Sequence, residues 1–295
     1  MMNRAEPALR GPQRLRRVEG RHNALVKQLR QAFARAEPTD DGDCAIEGVR
    51  MVEEAIRSGL RFRAVFFRES ARDRAERLLP QLGARVEVLE LPDKLFDSAV
   101  PSDAPQGVAA LVRWKEFSVD DLLERLGVGP ILVLVGLQDP GNLGTILRSA
   151  EAFGSAGVVL GEGTVSLYNW KAIRASAGSV FRLPVVVSKD ILKDKAAKGV
   201  VAKNGGEGIE GLSSRLREQG VRLIATSSHK GTDLTRVNLT GSVAIFVGNE
   251  GSGLPRGLTA KMNETVVIPH APQVESLNAA IAASVVLYEA ARQRK

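Results

Sequence analysis

Residues 131–150, ILVLVGLQDPGNLGTILRSA, contain the pattern that decides the fold of this 295-residue chain. The segment begins with a continuous run of Ile, Leu and Val, which is typical of a strand buried on both faces of a parallel sheet. A polar turn follows, and apolar residues then recur at helical spacing over residues 143–153. A buried strand followed by a turn and a helix predicts an α/β fold.

The same pattern extends to the C-terminus. Strand-like apolar runs recur at residues 157–160, 223–225, 243–247 and 265–268. A further helix is predicted over residues 277–292, so we expect residues 130–295 to form one domain around a parallel sheet. Residues 189–210 are rich in Lys, Gly and Ala, which predicts a mobile surface insertion within that domain.

A shorter α/β pattern precedes this domain. Its predicted elements are helix 51–60, strand 63–67, helix 71–79, strand 86–89 and strand 105–112. Residues 21–113 are therefore expected to form a small α/β domain. Residues 114–129 are interpreted as a charged, helical linker, and residues 1–20 as a flexible basic arm that a short helix follows.

Composition narrows the class of protein. Hydrophobic residues make up 44% of the chain and charged residues 25%, which excludes a wholly disordered or collagen-like chain. The single cysteine, Cys44, excludes an intrachain disulfide and a zinc site built from several cysteines. No apolar run approaches the roughly 20 residues that span a bilayer, so a cytoplasmic location is expected. The net charge of +7 favours a polyanionic partner, and a net charge of +6 lies within residues 1–30.

Three polar, glycine-containing segments follow predicted strands, at residues 138–150, 248–254 and 268–280. Open α/β sheets bind ligands beyond the carboxyl ends of their strands, so we expect these segments to form one site. The sequence has no G-x-x-x-x-G-K-[ST] phosphate loop, no H-E-x-x-H zinc helix and no G-x-S-x-G nucleophile turn. These absences exclude the commonest nucleotide, zinc and serine-hydrolase sites.

Each segment taken alone also has a purely structural explanation. Asn142 and Ser276 stand where each could cap the helix that follows it. The glycines of residues 248–254 could serve only to make a tight turn. The order of all three segments along the chain is more specific than any one of them.

In that order, the segments resemble the SpoU (TrmH-type) class of SPOUT RNA 2′-O-ribose methyltransferases. The matching residues are Asn142, Gly144 and Arg148, then Gly248, Glu250 and Gly251, then Ile268, Pro269, Ser276, Leu277 and Asn278. Residues 44–112 resemble the ribosomal-protein-like substrate-binding domain of the same class, above all at residues 46–49 and 105–107.

The resemblance implies a parallel sheet whose C-terminal segment threads a loop to form a deep trefoil knot. It also implies S-adenosyl-L-methionine as the cofactor and no metal. Cofactor contacts are expected from Thr226, Gly248, Ile268 and Leu277. The helix that begins at Leu277 is expected to lie in a homodimer interface, although its apolar residues could equally belong to the core.

By the same resemblance Arg148 acts on the ribose 2′-hydroxyl. An arginine is normally a poor proton acceptor, so Arg148 is either a perturbed general base or an electrostatic stabiliser of the developing alkoxide. Asn142 and Glu250 are expected to orient Arg148 and the ribose, and Ser276 and Asn278 to position the substrate. His270 is the competing candidate for the base, because histidine titrates near neutral pH.

Ribosomal RNA is the expected substrate, because a separate substrate-binding domain precedes the catalytic one. The alternatives are a transfer RNA 2′-O-methyltransferase and a catalytically inactive RNA-binding protein of the same fold. Lys171 and Arg174, with Ser176 and Gly178, are predicted to hold an RNA phosphate, and a solvated helix face is the alternative for that segment.

Overall fold

The computed structural model describes residues 15–188 and 208–295, which form two β-sheets with helices on both faces of each. The N-terminal sheet has the strand order β1-β4-β3-β5-β2. Its strands are β1 (Leu15–Arg17), β2 (Asp43–Glu47), β3 (Arg61–Arg68), β4 (Glu87–Leu91) and β5 (Val108–Arg113). Strands β1, β4 and β3 are parallel, whereas β5 runs antiparallel to both of its neighbours.

Four helices cover this sheet: α1 (Ala24–Arg35), α2 (Val49–Arg57), α3 (Arg72–Leu78) and α4 (Asp93–Asp97). The side chains of β3 alternate between its two faces. Phe66 packs with the buried residues of α1 and α4, and Phe67 packs with those of α2 and α3. This alternation is what a strand period of two residues requires of a sheet buried on both sides.

The C-terminal sheet is parallel throughout, in the order β10-β12-β9-β11-β6-β7-β8. Its strands are β6 (Ile131–Leu134), β7 (Gly157–Leu160), β8 (Val185–Val187), β9 (Arg222–Ser227), β10 (Thr232–Asp233), β11 (Val243–Val247) and β12 (Glu264–Val267). The central strands β6, β7 and β11 are buried along their whole length. The expected α/β class with a parallel sheet is therefore confirmed.

Helices lie on both faces of this second sheet. They are α5 (Val119–Leu123), α6 (Pro140–Ala152), α7 (Trp170–Ala175), α8 (Ile209–Glu218), α9 (Arg256–Thr259) and α10 (Ala279–Gln293). Buried residues of α6, α7 and α10 form one face of the core, and those of α5, α8 and α9 form the other. Within the two described ranges, no helix is long and apolar enough to cross a membrane.

Part of the predicted basic arm is a strand, which corrects the expectation of flexibility for residues 15–17. Strand β1 pairs with β4, and Arg16 and Arg17 form ion pairs with Glu87 and Glu69. The correction has a physical reason, because without β1 the backbone of β4 would be an unpaired sheet edge. The rest of the predicted arm, residues 1–14, lies outside the described residues, as do residues 189–207 of the predicted insertion.

Besides β1, three further strands were not predicted from the sequence. Strand β2 carries a charged residue at each end, and Asp43 is buried only because Arg113 Nε donates a hydrogen bond to its Oδ1 over 2.8 Å. Strands β8 and β10 have three and two residues, too few for a period of two to be visible. The domain boundaries at residues 21, 113 and 130 stay predictions.

The two halves are joined by side chains as well as by the linker. The ring of Trp114 makes edge contacts with Tyr168 and Phe181, with centroids 5.4 and 5.5 Å apart. Arg182 forms ion pairs with Glu54 of α2 and Glu151 of α6. These contacts fix the orientation of the N-terminal sheet relative to α6 and α7.

Candidate active site

A cleft of about 650 Å³ lies at the carboxyl ends of β9, β11 and β12. Its walls come from residues 226–231 after β9, residues 247–254 after β11, and Ile268 and His270 after β12. The approach to α10 closes it with Ser276 and Leu277. The second and third predicted segments therefore meet at one cleft, where the rule for parallel sheets places a ligand.

The loop after β11 is held by hydrogen bonds of the Asn249 side chain. Asn249 Nδ2 donates to the Gly136 carbonyl over 2.9 Å, and Asn249 Oδ1 accepts from the backbone N–H groups of Gly251 and Ser252. A Cβ on Gly248 would lie 2.3 Å from the carbonyl carbon of Gly253, so a larger residue has no room there. These glycines therefore make a tight turn and also line the cleft. A structural role in the turn does not exclude a place in the binding site.

The predicted cofactor contacts all lie on the wall of this cleft. Thr226 Oγ1 donates to the Phe246 carbonyl over 3.0 Å, which fixes the end of β9 against β11. Ile268 and Leu277 are half-buried and supply apolar surface, and Gly248 supplies backbone. The cleft therefore combines apolar and polar lining residues, the usual composition of a small-molecule site.

A chain of side-chain hydrogen bonds connects the three predicted segments. Asn278 Nδ2 donates to Asn142 Oδ1 over 3.0 Å, and Asn142 Nδ2 donates to Glu250 Oε1 over 2.8 Å. Each of these residues comes from a different segment, and each bonded pair is separated by more than a hundred positions along the chain. The bonds hold the amino ends of α6 and α10 against the loop after β11.

Neither helix cap is the residue that the sequence suggested. Asp139 caps α6, and its Oδ1 accepts from the backbone N–H of Asn142, which stands inside the first turn. Asn278 caps α10, because its Oδ1 accepts from Ala280 N and Ile281 N. Ser276 is exposed and lines the cleft two residues before that cap.

Arg148 stands apart from the other predicted catalytic residues. It is exposed on α6, and within the described parts of the chain its side chain makes no hydrogen bond or ion pair. It follows Asn142 by six residues, about 9 Å along the helix axis, while the Asn142 amide is engaged by Glu250 and Asn278. No bond from Asn142 or Glu250 orients Arg148 here, so that part of its predicted setting is absent from this structure.

His270 lines the same cleft as the predicted cofactor contacts. Its Nδ1 lies 2.7 Å from the carbonyl oxygen of Ile268, two residues earlier in the chain. That short local contact holds the ring against its own loop. His270 thus stays a candidate by position, with one ring nitrogen already engaged.

The predicted RNA contacts divide into exposed and buried residues. Lys171 and Arg174 are exposed on α7, and Lys171 Nζ lies 5.6 Å from the centroid of the Trp170 ring. Ser176 is fully buried and donates to the Ile173 carbonyl. A Cβ on Gly178 would lie 2.7 Å from Glu54 Cγ, so Ser176 and Gly178 belong to the packing rather than to an RNA surface.

Sequence reasoning missed the loop after β9 and its contribution to the cleft. Ser227, His229 and Lys230 line the cleft, as does Arg256 at the start of α9. Ser227 Oγ accepts from the backbone N–H groups of His229 and Lys230, which fixes this loop. The rule that singled out the other loops would have found it, since the loop directly follows the predicted strand 223–225. Among the residues described, no group of three or more His, Cys, Asp or Glu could hold a metal ion.

Comparison with known proteins gives relatives over nearly the whole chain. The 23S rRNA (guanosine(2553)-2′-O)-methyltransferase RlmP of Bacillus subtilis is 29% identical over 93% of this chain and 98% of its own. The 23S rRNA (uridine(2479)-2′-O)-methyltransferase of Streptomyces viridochromogenes is 32% identical over 95% and 93%. The crystal structure of the SpoU methyltransferase AviRb from S. viridochromogenes, in complex with AdoMet, superposes with a TM-score of 0.75 at 27% identity, over 92% of this chain and 98% of that one.

Two family profiles match successive parts of the chain. The profile of the MRM3-like substrate binding domain matches residues 23–110, which include the strands β2 to β4 of the N-terminal sheet. The profile of the SpoU rRNA Methylase family matches residues 129–288, which include the cleft and all three segments. Since that match covers more than half of the chain, this protein belongs to the SpoU rRNA methylase family.

Proposed function

We propose that this protein transfers the methyl group of S-adenosyl-L-methionine to a ribose 2′-hydroxyl of ribosomal RNA. The observation that carries the proposal is the bonded chain Asn278–Asn142–Glu250, which joins three separate segments at the edge of one cleft. Two relatives that match along most of the chain support it, because both are named as 23S rRNA 2′-O-methyltransferases.

The cleft fits the cofactor in size and in chemistry. Its volume of about 650 Å³ lies within the roughly 300–1,000 Å³ of small-molecule pockets. Ile268 and Leu277 offer apolar contact to the adenine, and the backbone at Thr226 and Gly248 offers hydrogen-bonding groups. When bound, S-adenosylmethionine supplies a methyl group on a sulfonium, which is already activated for transfer.

The residues of the chain then have to align the ribose and remove its hydroxyl proton. Glu250 lines the cleft and is held in place by the hydrogen bond that it accepts from Asn142. Ser276 is exposed beside them and free to contact the substrate. Arg148 is a base, if bound RNA and cofactor perturb it, or a stabiliser of the developing alkoxide. Alignment by such fixed groups accounts for a large part of the rate in reactions of this type.

A homodimer formed through α10 belongs to the same proposal. Ile281, Val285 and Tyr288 recur at helical spacing on α10 and are exposed. The Ser149–Ser284 hydrogen bond of 2.7 Å places this apolar stripe next to Arg148 on α6. A second copy seated on the stripe would therefore lie beside Arg148. The trefoil knot is proposed for the loops after β11 and β12, whose strands flank β9 out of chain order.

The N-terminal half is proposed to bind the RNA, and Lys171 and Arg174 of α7, in the C-terminal domain, are proposed to hold its phosphates. The match of residues 23–110 to a substrate-binding profile supports this division of labour. A ribosomal RNA substrate also puts the protein in the cytoplasm. Transfer RNA stays the alternative substrate within the same chemistry.

The direct experiment maps 2′-O-methyl groups in ribosomal and transfer RNA from cells with and without the gene. We expect one ribosomal site to lose its methyl group and to regain it when purified protein and S-adenosylmethionine are added to that RNA. A site lost only from transfer RNA would move the substrate to the alternative. No lost site in either pool, together with no methyl transfer in vitro, would leave an RNA-binding protein without catalysis.

A further inference from the structure

Glu47 at the end of β2 is a buried carboxylate with an arginine near it from each half of the molecule. Glu47 is 7% exposed, and its Oε1 accepts a hydrogen bond from the backbone N–H of Gln106 over 2.7 Å. Burial raises the pKa of Glu47, and the hydrogen bond from Gln106 and the positive charges of Arg174 and Arg74 act against that rise. Arg74 belongs to α3 and Arg174 to α7, so two elements distant in sequence bring positive charge to one place.

Arg74 lies next to the turn at Gly107, a residue that has no side chain. Its Nη1 is 3.5 Å from the point where a Cβ on Gly107 would stand. Gly107 has a φ of +76° and a Cβ there would also lie 2.6 Å from Ala71 Cβ, so the position is restricted to glycine. Arg74 is half-buried, and the described part of the chain gives it no acidic partner within ion-pair distance.

Arg174 lies between this turn and the proposed catalytic residues. Its helix α7 packs against both α6 and the edge strand β2. At the crossing with α6 there is no space for a side chain, because a Cβ on Gly144 would lie 2.4 Å from the Ala172 carbonyl oxygen. Asn142 and Arg174 each stand two residues from that contact, about 3 Å along their own helix axes. Arg174 is exposed and, like Arg74, has no acidic partner in the described ranges.

The charge around the two arginines is positive. Glu47 is an acidic group near both arginines, and its Oε1 already accepts from Gln106. Lys171 precedes Arg174 by one helical turn and is exposed as well. Two guanidinium groups with free donors are suited to phosphate, which an arginine can hold with two parallel hydrogen bonds.

We propose that Arg74 and Arg174 form a two-part phosphate clamp across the seam between the halves, which holds the RNA backbone next to the target nucleotide. This proposal rests on the proposed function, because it specifies how the same RNA substrate is held. The ion pairs of Arg182 with Glu54 and Glu151 fix α2 relative to α6. The spacing from the clamp to Asn142 is therefore set by the fold, which makes the clamp a positioning device as well as a source of affinity.

The test compares Arg74→Gln, Arg174→Gln and the double variant in the full-length protein. The probe is in vitro transcribed large-subunit ribosomal RNA, with binding measured by fluorescence anisotropy between 50 and 300 mM KCl, about the range over which counterion release is measured. Each single variant is expected to bind roughly 5- to 10-fold more weakly and to lower the salt slope by ~0.7–0.9, the loss of one phosphate contact. The double variant is expected to lose both, with S-adenosylmethionine affinity within about twofold of the wild type in calorimetry.

Arg72→Gln and Arg217→Gln are the matched controls. Arg72 is exposed two residues from Arg74 on α3, and Arg217 lies on α8, which covers the opposite face of the C-terminal sheet. Both remove the same charge and should leave the salt slope unchanged. An unchanged slope in Arg74→Gln and Arg174→Gln, or an equal fall in both controls, overturns the clamp.

The outcomes separate the clamp from the proposed function. A wild-type protein that methylates ribosomal RNA, with clamp variants that bind that RNA normally, rejects the clamp and keeps the function. A wild-type protein that methylates neither ribosomal nor transfer RNA, with clamp variants that lose RNA binding, rejects the function and keeps the clamp.

Discussion

Arg148 is the residue whose proposed role depends most on what the RNA and a second copy bring to it. Its guanidinium is exposed and without a partner in the described ranges, so replacing it costs the folded protein little. We expect Arg148→Ala to lower methyl incorporation into ribosomal RNA by at least about 100-fold, the scale of losing one electrostatic stabiliser. S-adenosylmethionine affinity in calorimetry should stay within about twofold, because Arg148 does not line the cleft. Near-normal turnover in this variant would remove Arg148 from the mechanism.

Asn278 has two functions that one substitution can separate. Its Oδ1 caps α10, and its Nδ2 donates to Asn142. Asp is as good an N-cap as Asn but has no N–H to donate, so Asn278→Asp keeps the cap and breaks the chain. We expect the melting temperature to change little and kcat/KM to fall roughly 10- to 100-fold, as for other groups that orient a reacting residue.

Asn278→Ala is the companion variant, because it removes both the cap and the donor. It should lose about 1 kcal/mol of stability in chemical unfolding in addition to the activity. If Asn278→Asp retains full activity, the bonded chain through Asn142 does not position the substrate.

At this scale the sequence predicts which residues share a site better than it predicts their contacts. The motif positions Asn142, Glu250 and Asn278 do meet, but Ser276 and Asn278 are both good N-cap types and nothing local chooses between them. Asn278, which is the cap, is also held by Asn142, a residue 136 positions earlier in the chain. A contact of that kind has no trace in local sequence.

The crossing of α6 and α7 is decided by one glycine within a helix. A Cβ on Gly144 would lie 2.4 Å from the Ala172 carbonyl oxygen and 2.5 Å from Ala175 Cβ. We expect Gly144→Ala to destabilise the protein by about 1–3 kcal/mol in chemical unfolding, because the clash outweighs the better helix propensity of alanine of about 1 kcal/mol. Methylation should fall as well, since α7 carries Arg174 and α6 carries Asn142.

Gly257→Ala is the matched control for this prediction. Gly257 also lies in a helix, α9, where an added Cβ meets nothing within 4 Å. Alanine there should be neutral or slightly stabilising. If the two variants are equally stable, the close contact of α6 with α7 at Gly144 contributes nothing to the free energy of unfolding.

Element prediction worked where periodicity had room to act. The helices over residues 143–153 and 277–292 and the strands at 157–160 and 243–247 are found within two or three residues of their expected ends. Strand β2 was missed because its burial depends on partners: Arg113 from β5 forms an ion pair with Asp43, and the backbone N–H of Gln106 donates a hydrogen bond to Glu47. Such strands are specified by tertiary contacts rather than by their own pattern.

The whole molecule is organised by contacts between its halves that no local pattern encodes. Besides the Arg182 ion pairs, Ser166 Oγ donates to the Ala36 carbonyl over 2.6 Å, which ties the end of α1 to the segment before α7. The sequence predicted two α/β units but gave no orientation between them. That orientation is what places the N-terminal sheet beside the motif helix α6.

The surface of α10 makes the last prediction, at the scale of the assembly. Ile281 is 53% exposed, and it shares one face of the helix with Val285 and Tyr288. An exposed apolar stripe of this kind favours association, and a charge placed within it opposes burial. We expect Ile281→Glu to convert a dimer into a monomer in light scattering. Val128→Glu is the matched control, because Val128 is 61% exposed in the linker, away from α10.

Methylation should fall with the dimer, because the stripe borders the face of α6 that carries Arg148. Raising the concentration of Ile281→Glu should then restore activity as the weakened dimer reforms, which a folding defect would not do. A wild-type protein that is monomeric at micromolar concentration, or a monomeric Ile281→Glu with full activity, would contradict the proposed dimer as the active form. In the second case Arg148 would have to act on substrate bound to its own chain. Because about 9 Å of helix separates Arg148 from Asn142, α6 would then have to move when RNA binds.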